Sequence, residues 1–279
     1  MNRRSLRGLG PHGFHRIAYV EWGDGQDGTV VCVHGLTRNG RDFDRLAAAL
    51  AASRRVVCPD VVGRGQSDWL AEPGDYGYPQ YCADMAALIA RLDVDHVDWV
   101  GTSMGGLIGL MLAAMPRSPI RRLVLNDVGP FLPRAALARL ALYVGKDPAF
   151  ADLAGLEAHL RQVHAPFGPL TDEEWRQLAS HGQRRDAAGQ LRLAYDPAIG
   201  RAFSGELADV DLWPLWDRVA CPVLVLRGAR SDLLLRATAE TMTVRGPGAR
   251  LVEFPEAGHA PALMAGHQIA VVKDWLLAP

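Results

Sequence analysis

The residues that most constrain this chain are 101–105, Gly-Thr-Ser-Met-Gly, which form a G-x-S-x-G pentapeptide. An apolar run over 97–100 predicts a β-strand that ends at Gly101, and a helical pattern of small residues follows and ends before Pro116. A serine in so sharp a strand-to-helix turn takes a strained backbone conformation, and the flanking glycines let strand and helix approach closely. The pattern predicts that Ser103 is a nucleophile facing the free N–H groups of the new helix. An inert serine in a tight turn is the other interpretation.

Length and composition narrow the class of protein. With 279 residues, the chain can form one large α/β domain or one domain with an inserted segment. A hydrophobic content of 49%, a charged content of 22% and a net charge near −1 give no field that would attract nucleic acid or an acidic membrane. The four cysteines are scattered without C-x-x-C spacing, which predicts reduced, buried thiols and neither a disulfide framework nor a zinc site. They are Cys32, Cys58, Cys82 and Cys221.

The sequence also carries expectations about location and partners. The N-terminus is basic, but Gly-Pro-His-Gly stands at 10–13, where a secretory signal needs an apolar core. No apolar run approaches the length of a membrane span. We therefore expect a cytoplasmic protein with a small-molecule substrate and without a nucleic-acid or membrane partner. The oligomeric state is left open.

Strands and helices alternate at both ends of the chain. Apolar runs predict strands at 16–22, 29–33, 55–59, 97–100, 120–126, 222–227 and 250–254, with a turn at 23–25 after the first. Apolar strands that alternate with helices predict a mostly parallel sheet covered on both faces. From 130 to 216 the strand-like runs give way to helical segments rich in Ala, Leu and Arg. The sequence therefore predicts an α/β core of residues 1–129 and 217–279 with a helical insertion of 130–216.

A serine nucleophile needs a base, and the base needs an acid that orients it. His259 is the predicted base, because it lies in a loop between the last predicted strand and the last predicted helix. Asp232 is the predicted acid, because it closely follows the strand 222–227; Asp127, at the end of the strand 120–126, is the second candidate. The structural alternatives are a helix cap for Asp232 and a backbone-bonded loop histidine for His259.

Over nearly its full length the chain resembles the α/β-hydrolase family. Four motifs in order carry the resemblance: His34-Gly35, Gly-Arg-Gly-Gln-Ser at 63–67, the pentapeptide at 101–105, and Gly258-His259. Ser103, Asp232 and His259 also follow the order of the family's catalytic triad. The resemblance implies a mostly parallel eight-stranded sheet with helices on both faces, and it makes the insertion of 130–216 a cap domain.

The resemblance further implies how the reaction centre is completed. The backbone N–H groups of Leu36 and Met104 would form an oxyanion hole, while His34 and Gly35 shape the loop and transfer no proton. No metal or organic cofactor is required. Several side chains are expected to line a pocket with apolar walls under the cap: His34, Arg38, Asn39, Phe131, Leu132, Tyr143, Phe167 and Trp175. For Arg38 and Asn39 the alternative is a solvated loop, and for the aromatic residues it is the core of the cap.

The resemblance leaves several activities open. Serine in place of an aspartate nucleophile excludes haloalkane dehalogenases and epoxide hydrolases of this family. We expect a serine carboxylesterase that acts through an acyl-enzyme, including on short polyester oligomers or lactones. The alternatives are a carbon–carbon bond hydrolase of aromatic ring-cleavage products, for which Arg184 and Arg185 could hold a substrate carboxylate, and a proline-specific aminopeptidase. A ligand-binding protein of the same fold is the non-enzymatic alternative.

Overall fold

A computed structural model describes residues 1–23 and 28–278 of the chain. Within these residues, eight strands form one sheet in the order β1-β2-β4-β3-β5-β6-β11-β12, and two short antiparallel pairs, β7 with β10 and β8 with β9, lie outside it. The strands are β1 (Asn2–Gly10), β2 (Gly13–Trp22), β3 (Thr29–Val33), β4 (Arg55–Pro59), β5 (Val97–Thr102), β6 (Ile120–Asn126), β7 (Phe131–Leu132), β8 (Gln183–Arg185), β9 (Leu191–Leu193), β10 (Val210–Asp211), β11 (Val223–Gly228) and β12 (Arg250–Phe254).

The sheet is parallel from β4 to β12 and antiparallel at its N-terminal edge. β1 pairs with β2, and β2 with β4, in antiparallel register, whereas the five pairs from β4 onward are parallel. β1 was not expected from the sequence, because this edge strand is mostly exposed and carries no apolar alternation. Apart from Gly23, the turn predicted at 23–25 lies outside the described residues. The mostly parallel eight-stranded sheet is confirmed.

Helices cover both faces of the sheet. They are α1 (Asp44–Leu50), α2 (Tyr78–Leu92), α3 (Met104–Ala113), α4 (Arg134–Ala141), α5 (Leu153–Val163), α6 (Asp172–His181), α7 (Trp213–Trp216), α8 (Arg236–Val244) and α9 (Gly266–Leu277). Alternate residues of β3 pack in two different apolar clusters. Val31 and Val33 lie on the side of α2, α3 and α8, and Val30 and Cys32 lie on the side of α1 and α9. This alternation explains the continuous apolar runs, because each of these strands is buried on both faces.

The segment 130–216 contains α4 to α7 and also the two short strand pairs. The sequence predicted helices alone, since strands of two or three residues are too short to show a period. In the β8–β9 hairpin, the Asp186 carboxylate accepts the N–H groups of Ala188 and Gln190 and thereby fixes the turn. Part of the segment packs in a further apolar cluster around Leu156 and Trp175, which Met264 of the loop before α9 also joins. The division of the chain at residues 130 and 216 stays a prediction.

Helix length and cysteine burial bear on two further expectations. Among the described residues, none of the helices has the length and apolar character needed to cross a membrane. Cys32 and Cys58 are buried and Cys82 and Cys221 half-buried, all as free thiols. Over residues 1–23 and 28–278, no three side chains of the metal-binding types gather into a cluster.

Candidate active site

Ser103 lies in the turn between β5 and α3 with a positive φ of 52° and a ψ of −115°. This is a strained conformation for a residue with a side chain. The flanking glycines are required by space: a Cβ on Gly105 would lie 2.0 Å from the Val33 carbonyl oxygen, and one on Gly101 would lie 2.3 Å from the carbonyl oxygen of Gly105. The strand and the helix therefore touch backbone to backbone, and the serine is placed at the C-terminal edge of the sheet.

His259 lies in the loop that follows β12 and contacts Ser103 directly. Its Nε2 is 2.9 Å from Ser103 Oγ, and its Nδ1 is 2.7 Å from Oδ2 of Asp127. Because the carboxylate can only accept, Nδ1 carries the proton and Nε2 is left as an acceptor for the serine hydroxyl. The arrangement can move the serine proton onto the imidazole.

Asp127, directly after β6, is the carboxylate that contacts His259. The residue is fully buried and has a φ of 57°. Its Oδ1 accepts the Gly228 N–H at 2.7 Å, and its Oδ2 accepts the Ser231 hydroxyl at 2.5 Å as well as His259. Hydrogen bonds from three residues thus fix the carboxylate in the orientation that holds the imidazole.

Asp232, the acid expected first from the sequence, points elsewhere, and this prediction is wrong. Its carboxylate pairs with the guanidinium of Arg139 on α4, with Nη2 2.9 Å from Oδ1. Partial burial alone would raise the pKa of Asp232, but the hydrogen bond and charge of Arg139 outweigh it and lower the pKa. The reason lies one residue earlier, where the Ser231 hydroxyl turns inward to Asp127 and accepts the N–H groups of Leu233 and Leu234. Asp232 is thereby directed outward.

His34 shapes the loop after β3. Its Nδ1 donates to the Gly35 carbonyl oxygen at 2.7 Å, and its Nε2 accepts the Val61 N–H at 2.9 Å. Burial lowers the pKa of His34 to about 3, opposed by the Gly35 carbonyl and assisted by the charges of Arg64 and Arg38. The ring is therefore neutral with both nitrogens engaged, so it has no capacity left for proton transfer.

A cavity of about 210 Å³ opens over Ser103 and His259. Leu36 and Met104 also line it, and as the first residue of α3 Met104 has an N–H without an intrahelical acceptor. Apolar and aromatic side chains form most of the remaining wall: Phe43, Tyr76, Tyr78, Tyr81, Leu107, Leu132, Leu137, Leu140, Tyr143, Val163, Phe167, Ile199, Phe203 and Leu233. About half of these belong to the segment 130–216.

Five of the eight expected pocket residues line the cavity: His34, Arg38, Leu132, Tyr143 and Phe167. Asn39 instead caps the short helical turn at 40–43 and donates to the carbonyl oxygen of His181. Trp175 is buried in the cluster around Leu156. Phe131 and Leu132 are neighbours in β7, so their side chains point in opposite directions. Leu132 lines the cavity and Phe131 does not. The tyrosines at 76, 78 and 81 were missed, because no periodic pattern connects them to the site.

The chain is similar to known proteins over most of its length. A model of the alpha/beta hydrolase family matches residues 30–272. The chain therefore belongs to the α/β-hydrolase family. It is 48% identical to a 3-hydroxybutyrate-oligomer hydrolase from Cupriavidus necator, over 96% of this chain and 94% of that protein.

Two crystal structures resemble the chain over its whole length. A protein from Rickettsia typhi superposes with a TM-score of 0.93 at 33% identity, covering 99% of both chains. An alpha/beta hydrolase from Novosphingobium aromaticivorans superposes with a TM-score of 0.88 at 37% identity, covering 99% of this chain and 97% of that one. The chain is an enzyme of the ester-hydrolase type, and these relatives favour neither carbon–carbon bond hydrolysis nor a purely ligand-binding role.

Proposed function

We propose that this enzyme is a serine esterase that hydrolyses short oligomers of 3-hydroxybutyrate through an acyl-enzyme on Ser103. The observation that carries the proposal is the 48% identity, over nearly the full length of both chains, to a 3-hydroxybutyrate-oligomer hydrolase. The hydrogen-bonded row of Ser103, His259 and Asp127, of which Ser103 and His259 line the cavity, supports the same chemistry.

In the first half of the reaction, Ser103 Oγ attacks the ester carbonyl carbon while His259 Nε2 takes the hydroxyl proton. Asp127 holds the imidazole in the required tautomer and stabilises its positive charge. The negative oxygen of the tetrahedral intermediate is bound by the backbone N–H groups of Leu36 and Met104. The intermediate collapses when His259 returns the proton to the leaving alkoxide, which departs as the free hydroxyl end of an oligomer.

In the second half, water attacks the acyl group on Ser103 by the same route. His259 takes a proton from the water, the second tetrahedral intermediate forms at the same N–H groups, and Ser103 leaves with the proton returned to Oγ. The products are a carboxylic acid and an alcohol, and no cofactor or metal enters the balance.

The charge balance of the cavity fits a polyester chain. Arg38 pairs with Asp42 at 2.7 Å, and Arg139 pairs with Asp232, so each cationic side chain of the wall already has a carboxylate partner. The wall is otherwise largely apolar. A 3-hydroxybutyrate oligomer consists of uncharged ester units with a methyl branch, and only its acid end carries charge. A cavity with apolar walls and neutralised charges favours binding of the uncharged interior of such a chain over a small substrate with two carboxylates.

The proposal is tested with 3-hydroxybutyrate dimer and trimer as substrates and chromatographic measurement of the released monomer. The wild type should release monomer and Ser103→Ala should not. Ser180→Ala is the matched control, because this exposed serine bonds only to carbonyl groups of its own helix. A p-nitrophenyl ester series from C2 to C12 runs beside it. Cleavage of those esters without any release from the oligomers would refute the substrate, and no ester cleavage at all would refute the serine-esterase mechanism.

Two further expectations belong with this proposal. Residues 130–216 act as the cap that closes the cavity over the bound oligomer, since this segment supplies Leu132, Leu137, Leu140 and Tyr143 to its wall. The cytoplasmic location stays a prediction from the sequence, and cell fractionation with an antibody against the protein would test it.

A further inference from the structure

Arg64 is a fully buried cation in the loop between β4 and α2. Its Nε donates to the Leu36 carbonyl oxygen at 2.9 Å and its Nη1 to the Val62 carbonyl oxygen at 2.8 Å. The guanidinium carbon lies 4.9 Å from the ring centroid of Tyr81 and 5.9 Å from that of Tyr76. Over residues 1–23 and 28–278, the ion pairs of the structure include none between Arg64 and a carboxylate.

Burying a cation without a carboxylate partner is unfavourable for the free energy of folding. An arginine stays charged at every pH at which a protein is folded, and moving a charge from water into the interior is unfavourable unless it is paired. Two carbonyl groups and two aromatic faces compensate Arg64 only in part. The energetics of folding alone therefore do not explain why a cation occupies this position.

The third nitrogen of the guanidinium points to an explanation. Nη2 lies 3.4 Å from Sδ of Met104, so Arg64 contacts both Leu36 and Met104. These two residues come from different elements, the loop after β3 and the first turn of α3. Both line the cavity, whereas Arg64 is not among the described residues that line it. Arg64 therefore sits behind the two residues proposed above as the oxyanion hole.

We infer that Arg64 is a positioning residue of the oxyanion hole, which ties its two N–H donors together and adds a fixed positive charge behind them. The inference rests on the proposed function, because it needs Leu36 and Met104 to bind the oxyanion. A fixed cation favours the state in which negative charge has developed over the neutral ester, so it acts on the transition state more than on substrate binding.

The loop that carries Arg64 is itself held by the segment 130–216. The Gly65 N–H donates to the Ala194 carbonyl oxygen at 2.8 Å, and the Asp196 N–H donates to the Gly63 carbonyl oxygen at 2.8 Å. Arg64 lies between these two bonds, opposite Tyr195. Its backbone is fixed on both sides, which allows the side chain to act as a rigid support.

The test compares two variants of Arg64. Arg64→Met keeps an apolar side chain without the charge, and Arg64→Lys keeps a positive charge without the planar guanidinium group and its several N–H donors. Hydrolysis of p-nitrophenyl acetate and of 3-hydroxybutyrate dimer is measured per active site, titrated with a fluorophosphonate. For Arg64→Met we expect kcat to fall about 10- to 100-fold, less than complete loss of an oxyanion donor, with KM changed by less than about twofold. Arg64→Lys should be intermediate.

An inhibitor pair separates positioning from general damage. A boronic acid that adds to Ser103 places an oxygen in the oxyanion hole, so its Ki should rise by the same factor as kcat falls. The Ki of a ground-state product, 3-hydroxybutyrate, should not change. Arg55→Met is the control for the loss of an arginine, since Arg55 bonds the Leu92 carbonyl group and pairs with Glu21 at the opposite end of the strands. Its kcat should equal that of the wild type.

The outcomes separate this inference from the proposed function. A wild type without esterase activity refutes both. An active wild type whose folded Arg64→Met variant keeps kcat within about threefold overturns the role of Arg64 alone. If Arg64→Met does not fold, the test uses the kcat of Met104→Leu and of Arg64→Lys instead. Met104→Leu removes the contact between the Met104 sulfur and Arg64 at nearly constant side-chain volume. Wild-type kcat in both of these variants would overturn the inference.

Discussion

Replacing Asp127 by asparagine is the sharpest perturbation of the proposed triad. In the native site, Oδ1 is engaged by the Gly228 N–H at 2.7 Å, while Oδ2 faces the Ser231 hydroxyl at 2.5 Å and His259 Nδ1 at 2.7 Å. The single oxygen of an asparagine amide must stay with Gly228, since an N–H there would face a donor. The amide NH₂ then faces His259 Nδ1.

The consequence is a change of tautomer. An NH₂ that donates to Nδ1 leaves the imidazole proton on Nε2, where it faces the Ser103 hydroxyl and cannot accept a proton from it. We expect kcat to fall about 10³- to 10⁴-fold, which corresponds to about 4–5.5 kcal/mol of transition-state stabilisation, with little change in KM. The assay is steady-state hydrolysis of p-nitrophenyl acetate and 3-hydroxybutyrate dimer by variants whose folding is checked by circular dichroism.

Asp232→Asn is the paired variant. Its ion pair with Arg139 is half-exposed, and such pairs contribute no more than about 1 kcal/mol to stability, so kcat should stay within about threefold of the wild type. The reverse pattern, a large loss in Asp232→Asn and activity within about tenfold of the wild type in Asp127→Asn, would refute the assignment of the acid. Equal large losses in both would mean that the two carboxylates act together.

Two further predictions concern stability. Because the pKa of buried His34 is about 3, the unfolded chain takes up a proton below about pH 6.5 that the folded chain does not. The free energy of unfolding therefore decreases as the pH is lowered from 6.5 to 3, by up to about 1.4 kcal/mol per pH unit. His34→Gln should flatten this dependence in urea unfolding at pH 8, 6 and 5, and an unchanged slope would contradict it. Gly105→Ala should destabilise by about 3 kcal/mol or more in the same assay, because its Cβ would lie 2.0 Å from the backbone of Val33. Gly155→Ala, in a helix with no neighbour closer than 3.5 Å, is the control and should be neutral or slightly stabilising.

The sequence was sufficient for the fold and for most of the row of hydrogen bonds at the site. The pentapeptide around Ser103 is local, so its strand, turn and helix could be predicted from a few residues. His259 could be found because it follows the last predicted strand, and in open α/β sheets ligands bind in the loops at the C-terminal ends of the strands. Both predictions rest on chain order and on which end of a strand a residue follows.

The acid could not be chosen in this way. Asp127 and Asp232 each closely follow a parallel strand, β6 and β11, and these strands are neighbours in the sheet. Chain order therefore places both carboxylates at the same edge, and the choice depends on side-chain direction. That direction is set by Ser231, whose hydroxyl bonds Asp127 and the turn before α8 together. A hydrogen bond between residues more than a hundred positions apart leaves no periodic signal.

The position of the acid also affects how the segment 130–216 is attached. Because Asp127 holds His259, Asp232 is free to pair with Arg139 on α4, which carries Leu137 and Leu140 to the cavity. The ion pair is half-exposed and contributes little to stability, so it does not by itself attach α4 to the rest of the protein. Attachment comes from apolar contact, since Leu132, Ala136, Leu140, Val144 and Ile199 belong to the same buried cluster as α2, α3 and one face of the sheet. The wall shares its core with α3, and the cluster around Trp175 also includes Met264 of the loop before α9, so both parts of 130–216 pack against the α/β core.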